Sequence, residues 1–185
     1  MGAVSLLSQL IFMLAYLERN ENELAEQCAA TIRIEQRPDG GWSTTPDGAT
    51  DLSASVQAYF ALKLAGHDPT DDLMRQARER IRALGGAEAA DAGTRYFLAL
   101  LGQVSYEVCE STPPESFLFG RQKSLVQTTK SILWSHRPVR SIEIERGVRE
   151  LFVEKPAEGP AGRSLTHRFS KLAERRSWTP LRRRA

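Results

Sequence analysis

The sequence predicts an all-α fold. Apolar residues recur at helical spacing in five successive segments between Val4 and Gln103. Those segments are separated by glycine and proline breaks such as Gly66, Pro69 and Gly85-Gly86, which end helices. No long run of residues alternates apolar and polar in the manner of a half-buried strand. With 185 residues, 41% apolar and 26% charged, the chain has the length and composition of one globular domain or part of one.

The first segment, about Val4 to Glu18, is the most apolar, and is expected as a buried helix. It has no basic leader and no Ala-x-Ala site, so it does not read as a signal peptide. It is also shorter than the roughly 20 apolar residues that span a bilayer. Met1-Gly2 opens a myristoylation-like start, but Leu6 stands where that motif requires Ser or Thr. The second segment, about Glu21 to Glu35, places Leu24, Ala25, Cys28, Thr31 and Ile32 on one face. The third starts at Thr50 or Asp51, a good N-cap, and runs to Leu64. The fourth covers about Asp71 to Ala83, with Asp71 and Asp72 complementing the dipole of its first turn. The fifth covers about Asp91 to Gln103.

Between the second and third segments lies the most specific motif, Gln36-Arg37-Pro38-Asp39-Gly40-Gly41-Trp42. Pro38 and the glycine pair stop a helix. The Gln36 amide suits orphaned backbone groups at a helix end, and the Trp42 indole covers apolar surface while its N–H seeks an acceptor. The spacing Gln36-x3-Gly40-x-Trp42 resembles the QW repeat of the triterpene cyclases, the squalene–hopene and oxidosqualene cyclases. Flanking blocks extend the resemblance: Thr50-Asp51-Leu52-Ser53-Ala54-Ser55-Val56-Gln57-Ala58-Tyr59-Phe60, Ile81-Arg82-Ala83-Leu84-Gly85-Gly86, Thr94-Arg95-Tyr96-Phe97, Pro113-Pro114-Glu115, Ile132-Leu133-Trp134-Ser135-His136-Arg137-Pro138 and Glu145-Arg146-Gly147-Val148. In this order they resemble the N-terminal part of a squalene–hopene cyclase, closely from about Leu10 to Gly102 and in patches to about Val153.

The resemblance implies an incomplete (α/α) barrel, an αα-toroid fragment of two to three helix pairs with a poorly ordered basic C-terminal tail. By family precedent such a barrel closes with about six pairs, so exposed apolar faces are expected. The spacing from Ala29 to Gly41 recurs loosely from Ala77 to Gly86 without a second Trp. The implied organisation is an αα-repeat domain at 1–110, an altered and shortened cavity-side segment with a helix at 111–142, and a short helix plus basic tail at 143–185. Family members carry an additional helix before the point where this chain starts.

In function, the resemblance implies proton-initiated cyclisation of squalene or a related polyprenyl lipid in triterpenoid (hopanoid) synthesis. The family acid is an Asp-x-Asp-Asp motif, whose clustered carboxyls hold one proton. This sequence lacks it. Asp68-Pro69-Thr70-Asp71-Asp72 has one residue too many and falls where capping aspartates occur. No catalytic residue is therefore assigned, and the chain is expected to be a truncated form, inactive alone. Gly93 replaces a family aromatic before Thr94-Arg95, and Ser116 to Leu125 is shorter and more polar than its family counterpart, leaving Tyr96 and Phe97 as the aromatic residues read either as core or as cavity lining. His67, His136 and His167 lack metal-ligand spacing, no Asp-Asp-x-x-Asp site occurs, and no cofactor is expected. There is no nucleophile elbow, and Gly40-Gly41 and Gly85-Gly86 are turn formers, not phosphate loops.

A net charge of +2 is too small to suggest nucleic acid. Cys28 and Cys109 form no CxxC pair and read as two packed thiols of a reduced, cytoplasmic chain. The positive charge concentrates in the tail, where Leu165, Phe169, Leu172, Trp178 and Leu181 are interleaved with Arg168, Lys171, Arg175, Arg176 and Arg182 to Arg184 against a single acid, Glu174. Leu165, Phe169 and Leu172 share a helical face, which reads either as a membrane-facing amphipathic helix on the inner face of the cytoplasmic membrane or as a solvated tail. Three functional readings follow: a squalene–hopene cyclase-like protein, an αα-repeat module that binds an isoprenoid or docks to the remainder of a split cyclase, and a degenerate gene product.

Overall fold

The computed structural model describes residues 2–19, 23–110 and 125–153. Six α-helices lie among them: α1 (Ala3–Tyr16), α2 (Glu23–Ile34), α3 (Leu52–Leu64), α4 (Asp72–Ala83), α5 (Ala92–Leu100) and α6 (Leu125–His136). No β-strand occurs among the described residues; Trp42 and Asp51 form one isolated antiparallel bridge. The layout is an open, all-α piece of an αα-toroid. The sequence placed α1 to α5 within a turn of their observed bounds, because the chain carries their stop and start signals. Asp51 and Asp91 cap α3 and α5 with carboxylates that accept from Ala54 N–H and Thr94 N–H, each at 2.7 Å. Gly66 and Gly85 follow α3 and α4 in the left-handed region, at φ 91° and 110°. α5 stops at Leu100, one turn sooner than the pattern predicts.

α3 is the axis of the fold. Every residue from Ala54 to Leu64 is buried, as befits a helix with neighbours all round. α1, α2, α4, α5 and the 3-10 turn Ala87–Ala89 pack around it. Two faces differ from expectation. α1 buries Val4, Ser8, Ile11, Phe12 and Ala15, but it is not enclosed: Leu6, Met13 and Leu17 are 54%, 53% and 56% exposed. On α2 the inward residues are Ala25, Cys28, Ala29 and Ile32, while Thr31 faces out and Leu24 is 42% exposed. Both differences arise because each helix meets its neighbours on a limited stripe, α1 on α3 and α2, and α2 chiefly on α1, and apolar content alone does not say which stripe.

A second, smaller cluster gathers Tyr96, Ala99, Tyr106 and Cys109, with Leu133 and Trp134 of α6 packed against it. Tyr106 Oη donates to the Pro138 carbonyl at 2.6 Å, which ties the end of α6 to this cluster. Beyond α6 the sequence predicts a short helix from 143; the structure has instead two single 3-10 turns, Ile144–Arg146 and Arg149–Leu151. Their side chains answer to the main core: Val148, Leu151 and Phe152 are buried against it. The tail residues Leu165, Phe169, Leu172 and Trp178 lie outside the described residues, as does the segment 111–124.

Candidate functional site

The best-defined constellation is the corner between α2 and α3. Ile32 lies in the last turn of α2, where backbone carbonyls have no partner within the helix. Trp42 returns to it from ten residues further on: its indole N–H donates to the Ile32 carbonyl at 2.7 Å, and the ring is fully buried. Trp42 N–H donates to Ser55 Oγ at 2.9 Å, and Ser55 Oγ donates to the Asp51 carbonyl at 2.7 Å. Asp51 N–H closes the loop onto the Trp42 carbonyl at 2.8 Å. Gln36 acts on the other side. Its side-chain amide donates to the Gly40 carbonyl at 2.8 Å and to the Leu73 carbonyl of α4 at 3.0 Å. The pair of residues thus fastens three helices: Trp42 binds α2 to the start of α3, and Gln36 adds α4.

Gly40 is required for that approach. It sits at φ 86°, and a Cβ there would come within 2.8 Å of the Gln76 carbonyl oxygen. Asp39 stiffens the turn: it accepts from Thr50 Oγ1 at 2.6 Å and pairs with Arg80 of α4 at 3.1 Å. The Thr50 hydroxyl, the Gly41 N–H and nearby Arg80 and Arg37 hold its carboxyl below the usual range. Ser55 and Arg80 were given no role by the sequence, since only the fold brings them to the turn.

The carboxylates of the 68–72 stretch are taken up by the turn into α4 and by its first turn. Asp68 Oδ1 accepts from Thr70 N–H at 2.8 Å and Thr70 Oγ1 at 2.7 Å, and these bonds draw its pKa down. Asp71 is the N-cap of α4, and Asp72 pairs with Arg75 one turn on. Among the described residues no group of three or more His, Cys, Asp or Glu side chains gathers as a metal ion needs. His67 faces Arg33 at 3.2 Å, and burial followed by that guanidinium lowers its pKa. Burial raises both thiols, Cys109 to about 11, which keeps them protonated and unreactive at neutral pH.

Tyr96 and Phe97 point to different places. Tyr96 belongs to the smaller cluster, its ring centroid 6.3 Å from that of Tyr106, with Oη donating to the Glu110 carbonyl at 2.7 Å. Phe97 is half-buried on the main core, 5.5 Å from Phe12, whose ring is in turn 5.2 Å from Phe60. Adjacent helical residues diverge by about 100°, so the two rings pack in different clusters.

A profile of the squalene-hopene cyclase N-terminal domain matches residues 2–185. The chain belongs to this family. It is similar to the squalene–hopene cyclase of Alicyclobacillus acidocaldarius, 29% identical over 160 residues that make up 80% of this chain and 25% of that protein. It is 40% identical over 112 residues to the squalene–hopene cyclase of Zymomonas mobilis, covering 60% of this chain and 17% of that one. It is 31% identical over 111 residues to mouse lanosterol synthase, covering 60% and 15%. The chain therefore spans a quarter or less of the length of these relatives.

The corner predicts its own stability series. Trp42→Phe removes the indole N–H and volume from a fully buried site, and a loss of ~2–4 kcal/mol is expected in urea denaturation followed by circular dichroism. Gln36→Ala, at a half-buried position, is expected to cost ~1 kcal/mol. A Trp42→Phe chain within ~0.5 kcal/mol of the parent would show that the indole does not hold the corner.

Proposed function

We propose that this chain is the N-terminal helical part of a squalene–hopene cyclase-like protein of triterpenoid (hopanoid) synthesis, whose reaction is proton-initiated cyclisation of squalene or a related polyprenyl lipid. The observation that carries the reading is the Gln36–Gly40–Trp42 corner, built bond for bond within a chain of this family. Among the described residues Asp51 and Asp91 cap helices and Asp39 and Asp68 brace turns; the reading takes the chain to be inactive alone, with the acid supplied by another part of the cyclase. Pure chain incubated with squalene in detergent micelles is expected to yield no cyclised triterpene by gas chromatography–mass spectrometry. Hopene formed by this chain alone would overturn that assignment.

A second reading, a docking module for the remainder of a cyclase, is favoured by the outer face of α1. Leu6, Leu10, Met13 and Leu17 follow one another at spacings of four, three and four, the row by which one helix seats another. Leu10 is half-buried and the other three are more than half exposed. Nothing from Ala3 to Tyr16 is charged, which suits an apolar helix better than a lipid headgroup layer. Co-expressed with the downstream portion of the Zymomonas mobilis enzyme, the chain is expected to co-purify with it, and Leu6→Glu with Met13→Glu to abolish the association. Equal recovery with and without the two glutamates would remove the docking reading.

Membrane contact is assigned to the basic tail through Leu165, Phe169, Leu172 and Trp178. None of the described helices is long and apolar enough to cross a membrane; the attachment proposed for the tail is peripheral, on the inner face of the cytoplasmic membrane. Sedimentation with phosphatidylglycerol vesicles, and less with phosphatidylcholine vesicles, is expected. A chain that stays in the supernatant with both would dispose of this attachment.

A further inference from the structure

Residues 140–153 hold no α-helix, yet they run across the C-terminal ends of three helices and contact each. Arg140 N–H donates to the Leu100 carbonyl at the end of α5 at 2.8 Å. The Arg146 guanidinium reaches the Leu64 carbonyl at the end of α3 at 3.4 Å. Val148 N–H donates to Gln103 Oε1 at 2.9 Å, just beyond α5. Arg82, in the last turn of α4, donates to the Glu150 carbonyl at 3.2 Å, and Val153 N–H to Glu88 Oε1 at 2.9 Å. Two of these contacts bring a donor to the last carbonyls of a helix, groups that the helix leaves unpaired.

Beneath this segment lies Lys63 of α3, only 6% exposed. Its ammonium donates to the Gly147 carbonyl and to Glu150 Oε1, the latter at 2.7 Å. Both of those acceptors belong to residues 140–153. Tyr59, one turn earlier on α3, donates its hydroxyl to the same Glu150 oxygen at 3.0 Å. Burial, then the Glu150 charge, push the Tyr59 pKa well above its usual value, so it stays a donor. A buried ammonium requires partners or water. Lys63 therefore has two satisfied states: segment in place, or segment away and water admitted.

We propose that residues 140–153 form a strap that docks and undocks as one unit, closed over the C-terminal ends of α3, α4 and α5 by a latch of Lys63, Glu150 and Tyr59. The apolar anchors Val148, Leu151 and Phe152 and the latch sit on the same short segment, so neither is seated without the other. Two three-residue turns give the strap little hydrogen bonding of its own, so its opening is resisted by its three core anchors and the latch and not by a helix within it.

The test is hydrogen exchange read by mass spectrometry on the intact chain, comparing the parent with Lys63→Met, Glu150→Gln and the pair. In each single variant, peptides within 140–153 are expected to exchange about tenfold faster while those of α1 and α3 keep the parent rate. The pair is expected to exchange no faster than the more affected single variant, because either change opens the same latch. Glu150→Gln keeps size and hydrogen-bonding shape at a partly exposed site, so it reports on the latch even if Lys63→Met destabilises α3. Parent-like protection of the strap in Glu150→Gln overturns the proposal. So does faster exchange spread evenly over strap and α3, or an effect of the pair that equals the product of the two singles.

Discussion

A buried indole must give its N–H to something, and a helix must leave its last carbonyls to something. Trp42 and Ile32 answer both needs with one bond of 2.7 Å. The rest of the fold hangs on that coincidence. Because Trp42 has to lie against the end of α2, the chain reverses at Gly40-Gly41 and delivers Asp51 to the start of α3. α3 then enters the space between α1, α2, α4 and α5, where each of its residues from Ala54 onward finds cover. A helix apolar on every side has no stable place at a surface. The corner is what directs it inward, and the Gln36 amide on Leu73 brings the fourth helix up to close that side.

The two ends of this bundle are held by different physics. At the α2–α3 corner the bonds are short, local and mostly between groups fewer than fifteen residues apart, so they form as the turn forms. At the opposite end the contacts join residues forty or more apart, such as Lys63 with Glu150 and Arg82 with the Glu150 carbonyl. Long-range polar contacts carry a large ordering cost and repay it only when all partners arrive together. The corner is thus part of the scaffold, whereas the strap is a separate piece seated on it.

The same division explains what was legible in the sequence. Gln36, Gly40 and Trp42 could be read because a turn restricts residue type: a positive φ selects glycine and a chain reversal selects proline and aspartate. The helix bounds were legible for the same reason, through Asp51, Asp91, Gly66 and Gly85. Lys63 was not. At the end of an apolar helix it reads as an exposed C-terminal cation, and nothing near it in sequence announces Glu150 eighty-seven residues later. The outward row of α1 was missed because its few polar residues mark the wrong side: Ser5 and Ser8 are buried while Leu6 and Met13 face out. Tyr96 and Phe97 stand side by side in sequence, but a helix sends neighbours to different clusters, and only the packing shows which.

The placement of the aspartates bears on how chemistry is divided in this family. A carboxylic acid that protonates an alkene must be kept protonated, by desolvation or by a second carboxylate against it. Asp68 and Asp39 experience the reverse: hydroxyl and backbone donors favour their charged forms. Asp51 and Asp91 are occupied in another way, accepting from the N–H groups of α3 and α5. The property that makes aspartate a good helix cap makes it a poor acid, and a layer of capped helices is where caps are most needed. Shape and acidity are competing demands on the same residue type.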